Sequence, residues 1–269
     1  MPKSARKDTT VRWEELTAPD FARAVRRVKG VCIIPVAVIE KHGDHLPLGT
    51  DMFAGIETAC RAAALEPAIV FPPYYFGHIP EAKHVPGTVA IQSRLMVDLL
   101  ENVCEEIARN GLRKVIFLNG HGGNEPFLNY FVWKGMARQR PYTLYFLRLG
   151  DYLYSEGEEE IIPTGIRHAG EGETSMALAA RPDLVRMDQA VPSKEAGGRL
   201  AHLPPVGTGF EWYADWPDHY QGNGALGTAE KGEKLLAMMA AKVARVIKAV
   251  REDEVTEALQ AEFFGRINH

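Results

Sequence analysis

At 269 residues the chain is long enough for one large α/β domain or two small ones around an ample core. Its 46 % hydrophobic and 25 % charged residues are those of an ordinary soluble globular protein, and a net charge of −4 gives no electrostatic reason to bind nucleic acid or an anionic membrane. No segment approaches the roughly 18 apolar residues of a membrane span, and Lys3, Arg6 and Lys7 in Met1 to Thr10 precede no apolar leader, so a cytoplasmic setting and a small-molecule partner are expected.

The first predicted element is an amphipathic helix in Trp13 to Val28, with Leu16, Phe21, Ala24 and Val28 at helical intervals, Pro19 in a first turn and Gly30 as the stop. Val31 to Val38 is almost continuously apolar, as a strand covered on both faces must be, although Pro35 removes one ladder donor. A helix over Asp51 to Ala64 and a short strand over Ala68 to Phe71 follow, then the irregular Pro72-Pro73-Tyr74-Tyr75. Ser93 to Asn110 is the clearest helix: Ser93 can cap it, Leu95, Leu99, Val103 and Ile107 make one stripe, and Gly111 ends it. Lys114 to Leu118 is a strand leading into Asn119-Gly120-His121-Gly122-Gly123-Asn124 and a helix over about Glu125 to Arg138. Thr143 to Leu149 is a further strand, and Glu171 to Ala180 a further helix.

Ser193 to Thr228, rich in Gly, Pro and aromatics, is the least regular part and reads as a surface excursion or an active-site cover. Ala229 to Val250 closes the fold with Leu235, Leu236, Met239, Val243 and Val246, and Arg251 to His269 extends it or packs on a neighbouring subunit. Strands alternating with helices specify βαβ units, hence a mainly parallel sheet between helical layers, in a single domain over 1–269. Cys32, Cys60 and Cys104 form no CxxC pair and suit buried thiols of a reducing compartment.

Glu40, His42, His45 and Asp51 crowd the loop that leaves the first strand. Glu, His and Asp are the side chains that hard and borderline divalent cations select, and three or more within twelve residues supply most of one coordination shell. Ligands of an open parallel sheet bind beyond the carboxyl ends of its strands, where His121 also falls. Asp51, at a helix start, can place its two oxygens on two ions, the usual way of bridging a dinuclear site. Taken singly, Asp51 also reads as a helix N-cap, His121 as a hydrogen-bonded residue in a glycine turn, and His42 and His45 as solvated loop residues. The glycines at 120, 122 and 123 let the backbone approach a ligand but match no phosphate loop.

Glu40-Lys41-His42-Gly43 with Leu46-Pro47-Leu48-Gly49-Thr50-Asp51, the 119–124 segment, His168-Ala169-Gly170-Glu171-Gly172-Glu173-Thr174-Ser175, His84-Val85-Pro86-Gly87-Thr88 and Ala229-Glu230-Lys231-Gly232 together resemble the creatininase (creatinine amidohydrolase) family across most of the chain. The resemblance implies a three-layer α/β/α fold, commonly a hexamer, with two divalent metals such as zinc or manganese, iron being a further option. It implies Glu40, His42, Asp51 and His121 as metal ligands, with Asp51 bridging. Creatinine hydrolases carry a Glu two residues after the matching His, where this chain has Gly123. Glu173 is the candidate to complete the shell and take part in catalysis.

His168 matches a family histidine that shuttles protons to the leaving group, though it also reads as a structural residue before a helix. His45, His84, Gly122 and Asn124 are the substrate-binding candidates. His78, His202 and His219 are expected to be surface or structural, and the aromatic group Trp212, Tyr213, Trp216, His219 and Tyr220 to serve packing first and substrate cover second.

In such a site a water whose pKa a cation lowers from roughly 15.7 to roughly 7 attacks a carbonyl carbon. The expected reaction is hydrolysis of a small cyclic or linear amide. Ring opening of a keto-inositol, a cyclic diketone of the 3-dehydro-scyllo-inosose type, is the alternative, and a non-catalytic metal-stabilised binding protein the alternative of another class. Creatinine itself fits poorly, because the places where creatinine hydrolases carry aromatic walls hold Gly150, Thr164 and Gly122 here.

Overall fold

The computed structural model describes residues 11–154, 157–194 and 197–267, so the Met1 to Thr10 segment and the last two residues lie outside it. Four strands, β1 (Val31–Val36), β2 (Ile69–Val70), β3 (Lys114–Asn119) and β4 (Thr143–Leu147), form a parallel sheet in the order β2-β1-β3-β4. Alternate residues of β1 enter opposite cores, as the two-residue period of a strand requires. Val31 and Ile33 pack with α2 (Thr50–Leu65), α5 (Glu171–Ala180) and α7 (Ala229–Glu252). Cys32, Ile34 and Val36 pack with α1 (Ala18–Arg27), α3 (Ser93–Arg109) and α4 (Asn124–Lys134). The architecture is therefore the three-layer α/β/α arrangement expected.

Pro35 is tolerated at the centre of the sheet because of its register. Ile33 accepts from Phe71 and Ala37 donates to Tyr74, so the odd residues of β1 address the β2 side. Pro35 faces that side just beyond the end of β2, where its missing N–H breaks no ladder.

Several expectations shift in detail. Trp13–Glu15 is a separate 3₁₀ turn, and α1 begins after Thr17, whose hydroxyl accepts from the Asp20 N–H. Ser93 is the first residue of α3 rather than its cap; Gln92 holds that position without a side-chain bond. The buried stripe of α3 is Met96, Leu100, Cys104 and Ile107, which keeps the predicted Ile107 but is otherwise shifted by one residue, and Leu95 is 56 % exposed. Both rows are apolar, so periodicity alone does not choose between them; contact with the sheet does. The predicted helix after β3 ends at Lys134, followed by the 3₁₀ turn Gly135–Ala137. The C-terminal segment forms its own helix, α8 (Val255–Ile267).

The two helices that flank the site from later in the chain are in close contact. A Cβ on Gly232 of α7 would come within 1.9 Å of the Ser175 carbonyl oxygen in α5, so the glycine lets the two backbones touch. Among the described residues no helix is long and apolar enough to cross a membrane. Cys32 and Cys104 are buried free thiols and Cys60 is partly buried.

Candidate active site

The site forms where β1 and β3 lie side by side, with Val36 opposite Asn119. Beyond β1 the Glu40 N–H bonds the Leu48 carbonyl at 3.1 Å, closing a loop that turns Glu40 and His42 back over the strand ends. Asp51 is the second residue of α2 and Gly49 occupies the cap position, so helix capping does not account for Asp51. Its carboxylate is buried, as are Glu40, His42 and His121.

Asp51 stands between two groups of donors. Its Oδ1 is 2.9 Å from His42 Nε2 and its Oδ2 is 3.4 Å from His121 Nδ1. On the first side Glu173 Oε2 lies 3.5 Å from His42 Nε2; on the other Glu40 Oε1 lies 2.7 Å from His121 Nδ1. Ligand atoms of the set Glu40, Asp51 and His121 all fall within 4.8 Å of one another, and so do those of His42, Asp51 and Glu173. Glu40 Oε1, His42 Nε2, Asp51 Oδ2 and His121 Nε2 are buried without a hydrogen-bond partner; the short contacts among them lack hydrogen-bond alignment. Burying an unpaired polar atom is costly, and the convergence of four such N and O donors at one place fits divalent cations. The His42 ring supports this orientation, because Nδ1 faces the Glu40 carbonyl at 3.3 Å and leaves Nε2 as the nitrogen turned toward the carboxylates.

Electrostatics agree with a cation-seeking site. Burial works against a charged His42, but Asp51, Glu173 and Glu40 outweigh it and raise its pKa to about 10. His121 is likewise pushed well up by Glu40 and Asp51 in spite of burial. Burial opposes ionisation of Glu40, yet His121 and His168 hold its carboxyl well below the usual range. Glu173 moves the other way: burial, with the charges of Asp51 and Glu40 beside it, raises its pKa.

Glu173 is the third residue of α5 and reaches back to accept the Ala169 N–H at 2.6 Å, a helix-start contact that also aims it at His42. His168 Nε2 bonds the Lys41 carbonyl at 2.8 Å; a carbonyl only accepts, so the proton is on Nε2 and Nδ1 is the acceptor. Burial and the neighbouring His42 lower the His168 pKa to about 3. Its ring packs 4.4 Å from that of His42 and 4.5 Å from that of His219.

A cavity of about 450 Å³ opens over this cluster, bordered by Glu40, His121, Gly122, His168 and Glu173. Gly122 is on its floor, and a side chain there would meet nothing within 4 Å. The other three substrate-binding candidates do not border it. Asn124 is fully buried and braces the loops, accepting from the His78 N–H at 2.7 Å and donating to Val36 and Asn119. His45 is buried against Thr174, with Nε2 2.8 Å from the hydroxyl. His84 bonds the Pro217 carbonyl at 2.8 Å and packs on Tyr213. Thr164 is also off the cavity, its hydroxyl donating to Glu171.

Sequence reasoning missed Glu81 and the contacts that Trp212 and His219 make. His219, expected at the surface or in a structural role, is buried with Nε2 against Glu40 Oε2. Trp212 borders the cavity and donates to His219. Glu81 Oε1 lies 3.7 Å from His121 Nε2, and a Cβ on Gly123 would come within 2.6 Å of it. The carboxylate of Glu81 thus fills the space that a side chain at 123 would enter. The one signal for Glu81 was an acid within the segment leading to His84; His202 is exposed, as expected.

Comparison with known proteins gives one answer at the level of family. The chain is 26 % identical over 260 residues to a creatinine amidohydrolase of Pseudomonas putida, covering 89 % of this chain and 95 % of that one. It is 26 % identical over 267 residues to a 3-dehydro-scyllo-inosose hydrolase of Thermotoga maritima, covering 91 % and 85 %. It is 29 % identical over 246 residues to a mycofactocin precursor peptide peptidase of Mycolicibacterium smegmatis, covering 86 % and 90 %. Two solved structures share the fold, each covering 91 % of this chain. One is a mutant creatininase of Zn-Zn type (TM-score 0.76, 23 % identity, 99 % of that chain), the other a manganese creatininase (0.75, 24 %, 100 %). With the family profile described as creatinine amidohydrolase matching residues 14–247, this chain belongs to the creatininase family.

Proposed function

We propose that this family member is a dinuclear metal-dependent hydrolase of a small cyclic or linear amide. The observation that carries the proposal is Asp51, whose two carboxylate oxygens face two separate histidine and carboxylate groups, beside a cavity that Glu40, His121 and Glu173 border. Glu40 and His121 with Asp51 would hold one ion, and His42 and Glu173 with Asp51 the other. Zinc suits this N and O set, as do manganese and iron. When bound, such ions lower the pKa of water and polarise a carbonyl group.

The chain's own residues account for orientation and proton movement. His168, with its N–H fixed on Lys41, presents a bare Nδ1 to accept a proton from the attacking water. The proton it takes can then be passed to the departing nitrogen. Gly122 leaves the floor open, while Trp212, Glu81, Arg167 and Gln221 border the substrate space. The polar members of that border support the second reading, opening of a polyhydroxylated cyclic ketone, for which the inosose hydrolase of equal identity is a precedent.

Elemental analysis of protein purified without added metal should give two divalent ions per chain. A panel of cyclic amides, formamides and diketo-inositols then separates the readings. Turnover of an amide with ammonia or amine release supports the first; turnover confined to the ketone replaces it with the second. Two tightly held ions with no turnover of any class would favour a binding protein.

A further inference from the structure

We propose that His219 is a positioning residue for Glu40, set in turn by Trp212 of the cavity wall. One hydrogen-bond chain then joins the substrate space to a metal ligand. The proposal rests on the reading of Glu40 as a ligand. Trp212 Nε1 lies 2.9 Å from His219 Nδ1, and an indole N–H can only donate. His219 Nδ1 must therefore accept, which places its proton on Nε2, the atom against Glu40 Oε2. Glu40 is left with one committed oxygen and one orphaned oxygen, Oε1, turned toward His121. A carboxylate held in this way is a one-oxygen ligand with a fixed direction.

The backbone around His219 is built for this contact. His219 adopts φ 53°, a left-handed conformation that residues other than glycine seldom occupy. It is held there by its N–H on Trp216 O at 2.9 Å and by the next two residues. The Tyr220 hydroxyl donates to Val191 O at 2.5 Å, and the Gln221 N–H donates to His168 O at 2.9 Å. Unfavourable backbone geometry that several bonds enforce is a mark of a side chain aimed for a purpose. The same segment supplies Trp212, so a ligand packed on the indole would act on the bond that fixes the His219 tautomer.

The test uses the full-length protein stripped of metal, with zinc titrated against a chromophoric chelator in wild type, H219A, H219Q, W212F and D51A, beside thermal unfolding of each metal-free form. H219A should weaken one of the two zinc-binding steps by about 10–100-fold, and H219Q, whose amide N–H replaces Nε2–H, should recover most of that loss. W212F should show a smaller loss in the same step. Wild-type zinc affinity in H219A overturns the proposal. So does equal weakening of both steps that tracks a lower unfolding temperature, because that is what plain packing would give. If H219A does not fold, W212F decides, and unchanged affinity there overturns it. D51A separates the premises: if it too binds zinc like wild type, the metal centre itself is wrong, whereas loss in D51A alone rejects only the role of His219.

Discussion

The two halves of the site are built on different kinds of backbone. Glu40, His42, Asp51 and His121 stand within a few residues of β1, α2 and β3, and the sheet register places them. Glu81, Trp212 and His219 come from irregular segments, and His168 sits just before α5 beside Ala169, whose φ is 55°. The strand-end half carries four buried donor atoms without a hydrogen-bond partner. The irregular half carries the groups that aim those donors and border the cavity. The first group is thus anchored next to regular elements, whereas the second depends on loop conformation.

The largest effect should come from the residue that joins the two donor groups. Asp51→Ala removes the shared carboxylate, so both ions and all metal-dependent turnover should be lost, as read by elemental analysis and activity. Retention of one full ion would mean that the two groups are independent. His168→Ala tests the other half: kcat should fall by about 10²–10⁴-fold with the metal content unchanged. If metal is lost as well, His168 is a ligand, and the division between the halves moves.

The strand-end half also makes a pH prediction. In the metal-free protein a proton on His42 is favoured up to pH about 10, above the ordinary 6.5. A raised histidine pKa stabilises the folded state below 6.5, and that contribution is lost as pH climbs from about 6.5 to about 10. Zinc must displace that proton, so its affinity should rise by about tenfold per pH unit for each proton released, over the same window. Proton release measured in weakly and strongly buffered titrations checks this. An affinity independent of pH would remove His42 from the ligand set.

The unequal legibility of the two halves has a physical basis. Glu40, His42 and Asp51 were readable because they are close in sequence and the apolar run of β1 marks a strand end, where parallel sheets expose their ligands. His121 followed from the same argument applied to β3. His219 was not readable, since its partner Glu40 is 179 positions away and the turn that aims it has no periodicity. Asn124 misled for a related reason. A polar residue in a glycine turn resembles a substrate contact, yet here it satisfies the Val36 carbonyl and the His78 N–H inside the loop packing. The stripe on α3 shows the same limit in the fold, where two adjacent apolar rows gave no reason to prefer the one that the sheet covers.

Glu81 and Gly123 offer a smaller perturbation that couples the halves. Gly123→Glu should collide with Glu81 and His121, and Glu81→Gly in the same chain should relieve the part that Glu81 causes, the contact with His121 remaining. A double-mutant cycle on metal affinity should then give a coupling of about 0.5–3 kcal/mol. Additivity would show that the Glu81 carboxylate does not occupy the space above Gly123.

The smallest effect is expected at Gly122, where the two halves face each other across the cavity. A side chain built there meets nothing within 4 Å, so Gly122→Tyr should fold and bind metal as the wild type does. Its ring would add a further aromatic surface at position 122. An aromatic contact with a flat ligand is worth about 0.5–1.5 kcal/mol, so KM for planar cyclic amides should fall several-fold while kcat changes little. For a puckered, polyhydroxylated ring the same wall removes room without a stacking gain, and KM should rise. The sign of the KM change therefore distinguishes the two substrate classes. A loss of metal in Gly122→Tyr would show instead that the floor of the cavity belongs to the strand-end half and cannot be altered without it.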